Sequence, residues 1–418
     1  MDETHLAVLL DLVKKSHETY HIEKLRVVDV IPEQTVSTDP TLAAMRKVIA
    51  AACNMDSPVF QHAPIAPNRL RSLDLSWNRL GIEHFAAFCS ALRYGCPLDA
   101  ISLTRVIQKV DAADRAQCWR WLAFGAFYPH SRKLTRAVGN NPIRVKLEEE
   151  LLLEEYGEAF AKTLADPAGE LVYQGSNKSR LLQNQAINEL VLCTIQSGAK
   201  FYPTVRAGSQ NKAIIHELIC EMELETLCQE EEWTCAVLPG IGFGWVQNDQ
   251  IVGTECETIN SRSYRKGSGL EWTFDNRFDE VPPFTPELLE TFGSMLEHIG
   301  SFVRSIEFVE VDGVDVVLPV ILGRCVSLER LVLRGCELSE DAVDTLVDAL
   351  SGDFGDHLLS LVFNTEYDFG DSSVEKLCRA LSNPARTPAL REFLVSVPEM
   401  NDQAYANFRR ALEVNKRL

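Results

Sequence analysis

The stretch from Leu70 to Leu92, LRSLDLSWNRLGIEHFAAFCSAL, decides how the rest of the chain is read. Leu70, Leu73, Leu75, Asn78 and Leu80 fall on the spacing L-x-x-L-x-L-x-x-N-x-L, which predicts a short strand and then a turn whose Asn bonds the backbone of the next coil. Ile82, Phe85, Phe88, Cys89 and Leu92 follow on one face of a helix. One strand and one helix cannot bury their own apolar faces, so such a unit calls for neighbours built the same way.

Neighbours lie on both sides. Ile22, Leu25 and Val27 predict a first, degenerate strand backed by a helix from Thr41 to Cys53, and Leu98, Ile101 and Leu103 predict a third strand before the helix DRAQCWRWLAFGAF. Leu6, Leu9, Leu10 and Val13 predict a helix that covers the open end of the first coil. The pattern returns with Val303, Ile306 and Phe308; Leu328, Leu331 and Leu333; Leu358, Leu361 and Phe363; and Leu390, Phe393 and Val395. The helices repeat more faithfully than the strands. Val343-x-x-Leu346-x-x-Ala349-Leu350, Val374-x-x-Leu377-x-x-Ala380-Leu381 and Tyr405-x-x-Phe408-x-x-Ala411-Leu412 all superimpose on Phe85-x-x-Phe88-x-x-Ala91-Leu92.

On these motifs the sequence resembles the leucine-rich-repeat proteins of the ribonuclease-inhibitor-like type, in which each strand is followed by a full helix. The resemblance implies an α/β solenoid with a parallel sheet, and a role in protein–protein interaction without catalysis. It also implies an alternative, because some family members regulate small GTPases through the rim of the horseshoe. The turn Asn occurs only at Asn78. Its counterparts are Val106, Val311, Cys336, Glu366 and Pro398, and the last two predict irregular coils.

The repeat is absent between 131 and 285. The expected organisation is therefore a capping helix and repeat module over 1–130, a non-repeat α+β block over 131–285 and a second repeat module over 286–418. Within the block, periodicity predicts an acidic-faced helix at 145–165 and two more helices at 179–196 and 211–231, then β-hairpins from Thr234 and a mobile loop at 261–269. The block is either an inserted subdomain or a set of decayed coils. An enzymatic or ligand-binding pocket within it is a third functional reading.

Composition narrows the partners. A net charge of −19 on 418 residues disfavours nucleic acid and anionic membrane, and a protein partner with a basic face is easier to accommodate. The twelve cysteines include no C-x-x-C pair and no zinc spacing, which predicts free thiols in a reducing, cytoplasmic setting. The acidic start, Asp2 and Glu3, with the short apolar run Leu6–Leu10 predicts no secretory signal. The sequon Asn177-Lys178-Ser179 reads as a chance match.

Candidate chemistry is thin. Pro239 to Trp245 contains G-x-G-x-G, but a phosphate loop needs a helix after it, and a strand is expected there instead. His216 and Glu217, with Glu221, lack the second His of a zinc helix. No catalytic, cofactor or metal residue is expected. The strand residues between the leucines point outward, and by this alternation Val332, Val362 and Leu394 are expected to form an exposed apolar stripe beside Glu307, rimmed by Arg330, Arg334, Asn364, Glu392 and Ser396. With Trp77 of the first module, those three are the predicted partner-binding residues. The competing reading has the middle block fold back over the stripe, using Phe243, Trp245, Trp272 and Phe274.

Overall fold

The structure is a computed structural model that describes residues 2–15, 21–32, 35, 38–53, 69–135, 142–148, 152–173, 189–210, 213–258, 267–277, 286–350, 352–364, 371–383, 387–396 and 402–415. The sequon at 177–179, residues 261–266 of the expected loop, Glu366 and Pro398 lie outside them.

In chain order the first elements are α1 (Glu3–Lys14), β1 (Lys24–Arg26), α2 (Pro40–Ala52), β2 (Ser72–Asp74), α3 (Ile82–Leu92), β3 (Ala100–Ser102) and α4 (Ala112–Leu122). A short α5 (Arg132–Thr135), β4 (Arg144–Leu147) and α6 (Glu154–Ala165) follow. Then come β5 (Glu189–Ile195), β6 (Lys200–Phe201), α7 (Val205–Ser209), β7 (His216–Glu217), β8 (Met222–Glu230), β9 (Trp233–Leu238), β10 (Gly242–Gln247), β11 (Ile251–Thr258) and β12 (Gly269–Asp275). The last stretch alternates helix and strand: α8 (Pro286–Ile299), β13 (Val303–Val309), α9 (Val314–Arg324), β14 (Arg330–Arg334), α10 (Glu340–Leu350), β15 (Ser360–Asn364), α11 (Asp371–Leu381), β16 (Glu392–Ser396) and α12 (Asp402–Val414). Among the described residues, no helix is long and apolar enough to cross a membrane.

The protein is a mixed α/β chain in two compact units, Met1–Arg144 with Ala159–Ser268, and Val145–Glu158 with Gly269–Leu418. In the first unit β1, β2 and β3 are parallel, with Leu25, Leu73 and Ile101 side by side in register. The helices start where the local chemistry favours it. Asp2 accepts the His5 N–H, and Asp39 accepts the Thr41 N–H ahead of Pro40, whose missing donor costs nothing at a first helical position. In the second unit β12 to β16 are parallel, and Ile306, Leu331, Leu361 and Phe393 form the matching inward row.

A feature shared by five strand–turn segments in the two units is a left-handed residue four positions after the central inward side chain. Asp29 (φ 51°), Trp77 (φ 66°) and Arg105 (φ 56°) hold this place in the first unit, and Glu310 (φ 54°) and Gly335 (φ 61°) in the second. Four of them carry the ladder beyond the strand. Asp29 N–H donates to Ser76 O, Trp77 N–H to Thr104 O, Glu310 N–H to Arg334 O and Gly335 N–H to Asn364 O. Four of the five residues have side chains that disfavour this conformation, so the stacked neighbours impose it.

Asn78 lies inside the resulting turn, fully buried. Its Oδ1 accepts the Val30 and Ile31 N–H groups at 2.8 and 2.9 Å, while Nδ2 donates to Val27 O and to Leu75 O. The expected contact with the following coil is thus corrected: Asn78 ties its own coil to the preceding one.

The block between the modules departs most from expectation. Glu189–Ile195 and Met222–Glu230, which fall within the two predicted helices, are strands β5 and β8 of a five-stranded antiparallel sheet ordered β10-β9-β8-β5-β11. Only the later part of the predicted 145–165 helix is helical, because Arg144–Leu147 is β4. Trp272 and Phe274 are not groove fillers. They lie on β12, a parallel neighbour of β13, and Phe274 stacks on Phe308 with centroids 4.9 Å apart.

Within the first unit the antiparallel sheet packs against the helix layer rather than over the outer face of β1 to β3. Trp121 of α4 stacks on Phe243 at 5.9 Å, and Tyr94, just after α3, donates its hydroxyl proton to Val237 O while accepting the Glu225 N–H. The remaining aromatic of the expected filler, Trp245, is buried in β10, where its backbone bonds Tyr202. Close packing also sets the place of Gly125, which follows α4. A Cβ there would stand 2.6 Å from Cys89 Cα and 2.8 Å from Cys89 O, both backbone atoms that cannot turn away. Gly125→Ala is expected to destabilise this unit by about 2 kcal/mol, read as a lower urea midpoint.

Candidate functional site

Trp77 sits in the turn after β2, not on the sheet, and it is 37% exposed. Arg105 and Lys109 lie over its ring, with the Arg105 guanidinium carbon 4.8 Å and Lys109 Nζ 5.3 Å from the centroid, and Lys109 also donates to Trp77 O. The indole is thus a fixed rim group beneath two cations, a contact worth about 0.5–1 kcal/mol at an exposed site. Beside it, the outer face of the strands carries a hydroxyl and carboxylate chain. Ser76 donates to Asp74 and accepts the Ser102 hydroxyl proton at 2.8 Å, and Arg26 reaches Asp74 at 3.0 Å.

In the second unit, Val332, Val362 and Leu394 are cross-strand neighbours in register, as alternation predicts. Their exposure differs sharply from the expected open stripe. Val332 is 0% exposed, Val362 6% and Leu394 46%. Arg330 and Arg334, two positions either side of Val332 and on the same face, both reach Glu307 on the adjoining strand, at 3.5 and 3.2 Å. With Glu307 on one flank and Val362 on the other, Val332 is walled on four sides. Val362 has a strand on each side, whereas Leu394 on β16 has one. The first two valines are therefore core, and the accessible apolar surface is at the end of the row.

That end is a groove of about 530 Å³ lined by Phe393, Leu394, Val395, Tyr405, Phe408 and Leu412, with Arg409 and Glu413 at its lip. Phe393 and Val395 are inward-row residues, yet they are only half-buried, unlike their buried counterparts Leu361 and Phe363. Tyr405 and Leu412, homologous in pattern to buried helix positions, are 65% and 44% exposed. Among the described residues β16 has a strand on one side only, so the other edge still offers backbone donors and acceptors. Arg409 and Glu413 pair with each other at 3.1 Å, which leaves the lip without net charge.

One ionisable group of the middle block is buried and committed to structure. Arg93 and Glu225 form a fully buried pair, with Nε and Nη2 donating to the two carboxylate oxygens at 2.9 and 2.8 Å. A cavity of about 250 Å³ borders Glu225, Tyr128 and Glu189. The Arg93 clasp already holds the Glu225 carboxylate beside it.

His84 joins α3 to α2. Its Nδ1 accepts the Gly81 N–H, so Nε2 donates to Leu42 O, and burial holds its pKa below the usual histidine value. His216 and Glu217 stand on the two-residue β7, where neighbouring side chains point to opposite faces, so the expected helical pairing does not arise. Glu154, Glu158 and His298 place donor atoms within 4.8 Å of one another, near enough to share an ion. Glu154 is exposed and stands 3.8 Å from His298 Nε2, an ion-pair geometry that accounts for the cluster without a metal. No disulfide links any of the twelve cysteines, and among them only Cys256 is exposed.

No model of a known protein family matches the sequence, and no curated protein matches it.

Proposed function

We propose that the chain is a leucine-rich-repeat solenoid of the ribonuclease-inhibitor-like type and serves as a non-catalytic scaffold for protein–protein interaction in a reducing, cytoplasmic setting. The observation that carries the interaction role is the apolar groove around Leu394, an accessible concavity beside a strand edge. The repeat reading is supported by the left-handed residue that recurs at one position in five coils. The partner contributes an extended segment that adds to the edge of β16, its alternate side chains seating on the inner face against Phe393, Tyr405 and Leu412 and on the outer face against Leu394. The overall charge of −19 speeds the approach of a partner whose remaining face is basic.

Leu394→Glu places a carboxylate on the outer face of the edge strand, at the groove's border, without touching the buried row. It is expected to lower partner affinity at least about tenfold and to leave stability within about 0.5 kcal/mol. Quantitative affinity capture with wild type, Leu394→Glu and Trp77→Ala, each first shown to be folded by circular dichroism, separates the two surfaces. Equal recovery of every partner by wild type and Leu394→Glu removes the groove from the proposal.

A further inference from the structure

A second concavity, of about 570 Å³, lies in the first unit between α2, β7 and the turn joining β9 to β10. Its size suits a small organic ligand. Arg46 and Lys47 of α2 line one side, and no acidic side chain is among its lining residues. Neither cation forms an ion pair or a side-chain hydrogen bond among the described residues, so two like charges face one hollow without a counter-charge. A bound anion would be attracted to both and would offset their mutual repulsion.

The opposite wall adds a backbone donor. Leu238 to Ile241 form a turn closed by the Ile241 N–H donating to Leu238 O, with Pro239 and then Gly240 at φ 73°, the arrangement of a type II turn. The Gly240 N–H is left without an intrachain acceptor among the described residues. The G-x-G run therefore contributes one free amide at a hairpin corner rather than the ring of amides that opens a helix. The floor is apolar. Ile215 is 39% exposed, and Phe243 is fixed by its stack on Trp121.

We propose that this hollow binds a small phosphate ester with an apolar or aromatic body, the phosphate lying among Arg46, Lys47 and the Gly240 N–H and the body over Ile215 and Phe243. A guanidinium fork, an ammonium point charge and a backbone amide together match a doubly charged tetrahedral anion, whereas a carboxylate needs only the fork. The apolar floor distinguishes an ester from inorganic phosphate. This site is independent of the groove at Leu394, so its failure leaves the interaction role intact.

The test titrates the full chain with phenyl phosphate in a calorimeter, with inorganic phosphate and phenol as separate arms. Saturable binding of phenyl phosphate, at least about tenfold tighter than either arm, is expected. Arg46→Gln with Lys47→Gln is expected to weaken phenyl phosphate at least about tenfold, with an unchanged circular dichroism spectrum, and Ile215→Ala to weaken phenyl phosphate but not inorganic phosphate. Absence of saturable phenyl phosphate binding at millimolar concentration overturns the proposal, as does equal affinity in the double variant.

Discussion

Glu225→Ala is expected to destabilise the unit formed by Met1–Arg144 and Ala159–Ser268 by about 3–5 kcal/mol, the largest effect of any single replacement considered. The Arg93 guanidinium is 0% exposed and sits 4.6 Å from the Phe124 ring centroid, with Phe124, Tyr128 and Pro129 carbonyls as its other acceptors. Those carbonyls carry only partial charge. Once the carboxylate is gone, an uncompensated cation remains in an apolar interior, and water must enter or the sheet must leave α3. Five of the six tryptophans, Trp77, Trp119, Trp121, Trp233 and Trp245, lie in this unit, so tryptophan fluorescence in urea reports its unfolding. The paired replacement Arg93→Met with Glu225→Leu is expected to recover most of the loss, because it removes both desolvation penalties together. An unchanged midpoint for Glu225→Ala would mean that the pair contributes nothing to joining the sheet to the helix layer.

Asn78→Leu is expected to cost about 3 kcal/mol or more despite its similar volume. It strands the Val30 and Ile31 N–H groups and the Val27 carbonyl in a turn from which water is excluded. Each unsatisfied buried group carries a penalty of about 1–3 kcal/mol, partly relieved if the first coil loosens. The amides of Val30 and Ile31 are therefore expected to exchange with deuterium at least about a hundredfold faster. Exchange unchanged at those two amides would show that Asn78 does not hold the coils together.

Both effects show which parts of the molecule could be read from residues alone. The strand positions of Leu73, Ile101, Leu331 and Leu361 followed from spacing, because each local pattern repeats. The left-handed turn did not, since Asp29, Trp77, Arg105 and Glu310 share no chemistry; the conformation comes from stacking on the neighbouring coil. β8 reads as a helix because five consecutive residues, Leu224 to Cys228, are buried on both faces, which erases the period of two. Glu225 was lost among sixty acidic residues, its partner Arg93 lying 132 positions away. Val332 and Val362 were placed on the correct face, but alternation says nothing of how Arg330 and Arg334 close on Glu307. Leu394 is exposed where the two valines are not because it is on the last strand of the row.

The role itself is tested most directly by hydrogen–deuterium exchange of the full chain, free and bound to a partner captured by wild type but not by Leu394→Glu. The account predicts that protection on binding concentrates in Glu392–Ser396 and Asp402–Val414. Protection confined to other segments, with those two exchanging as in the free protein, would contradict it.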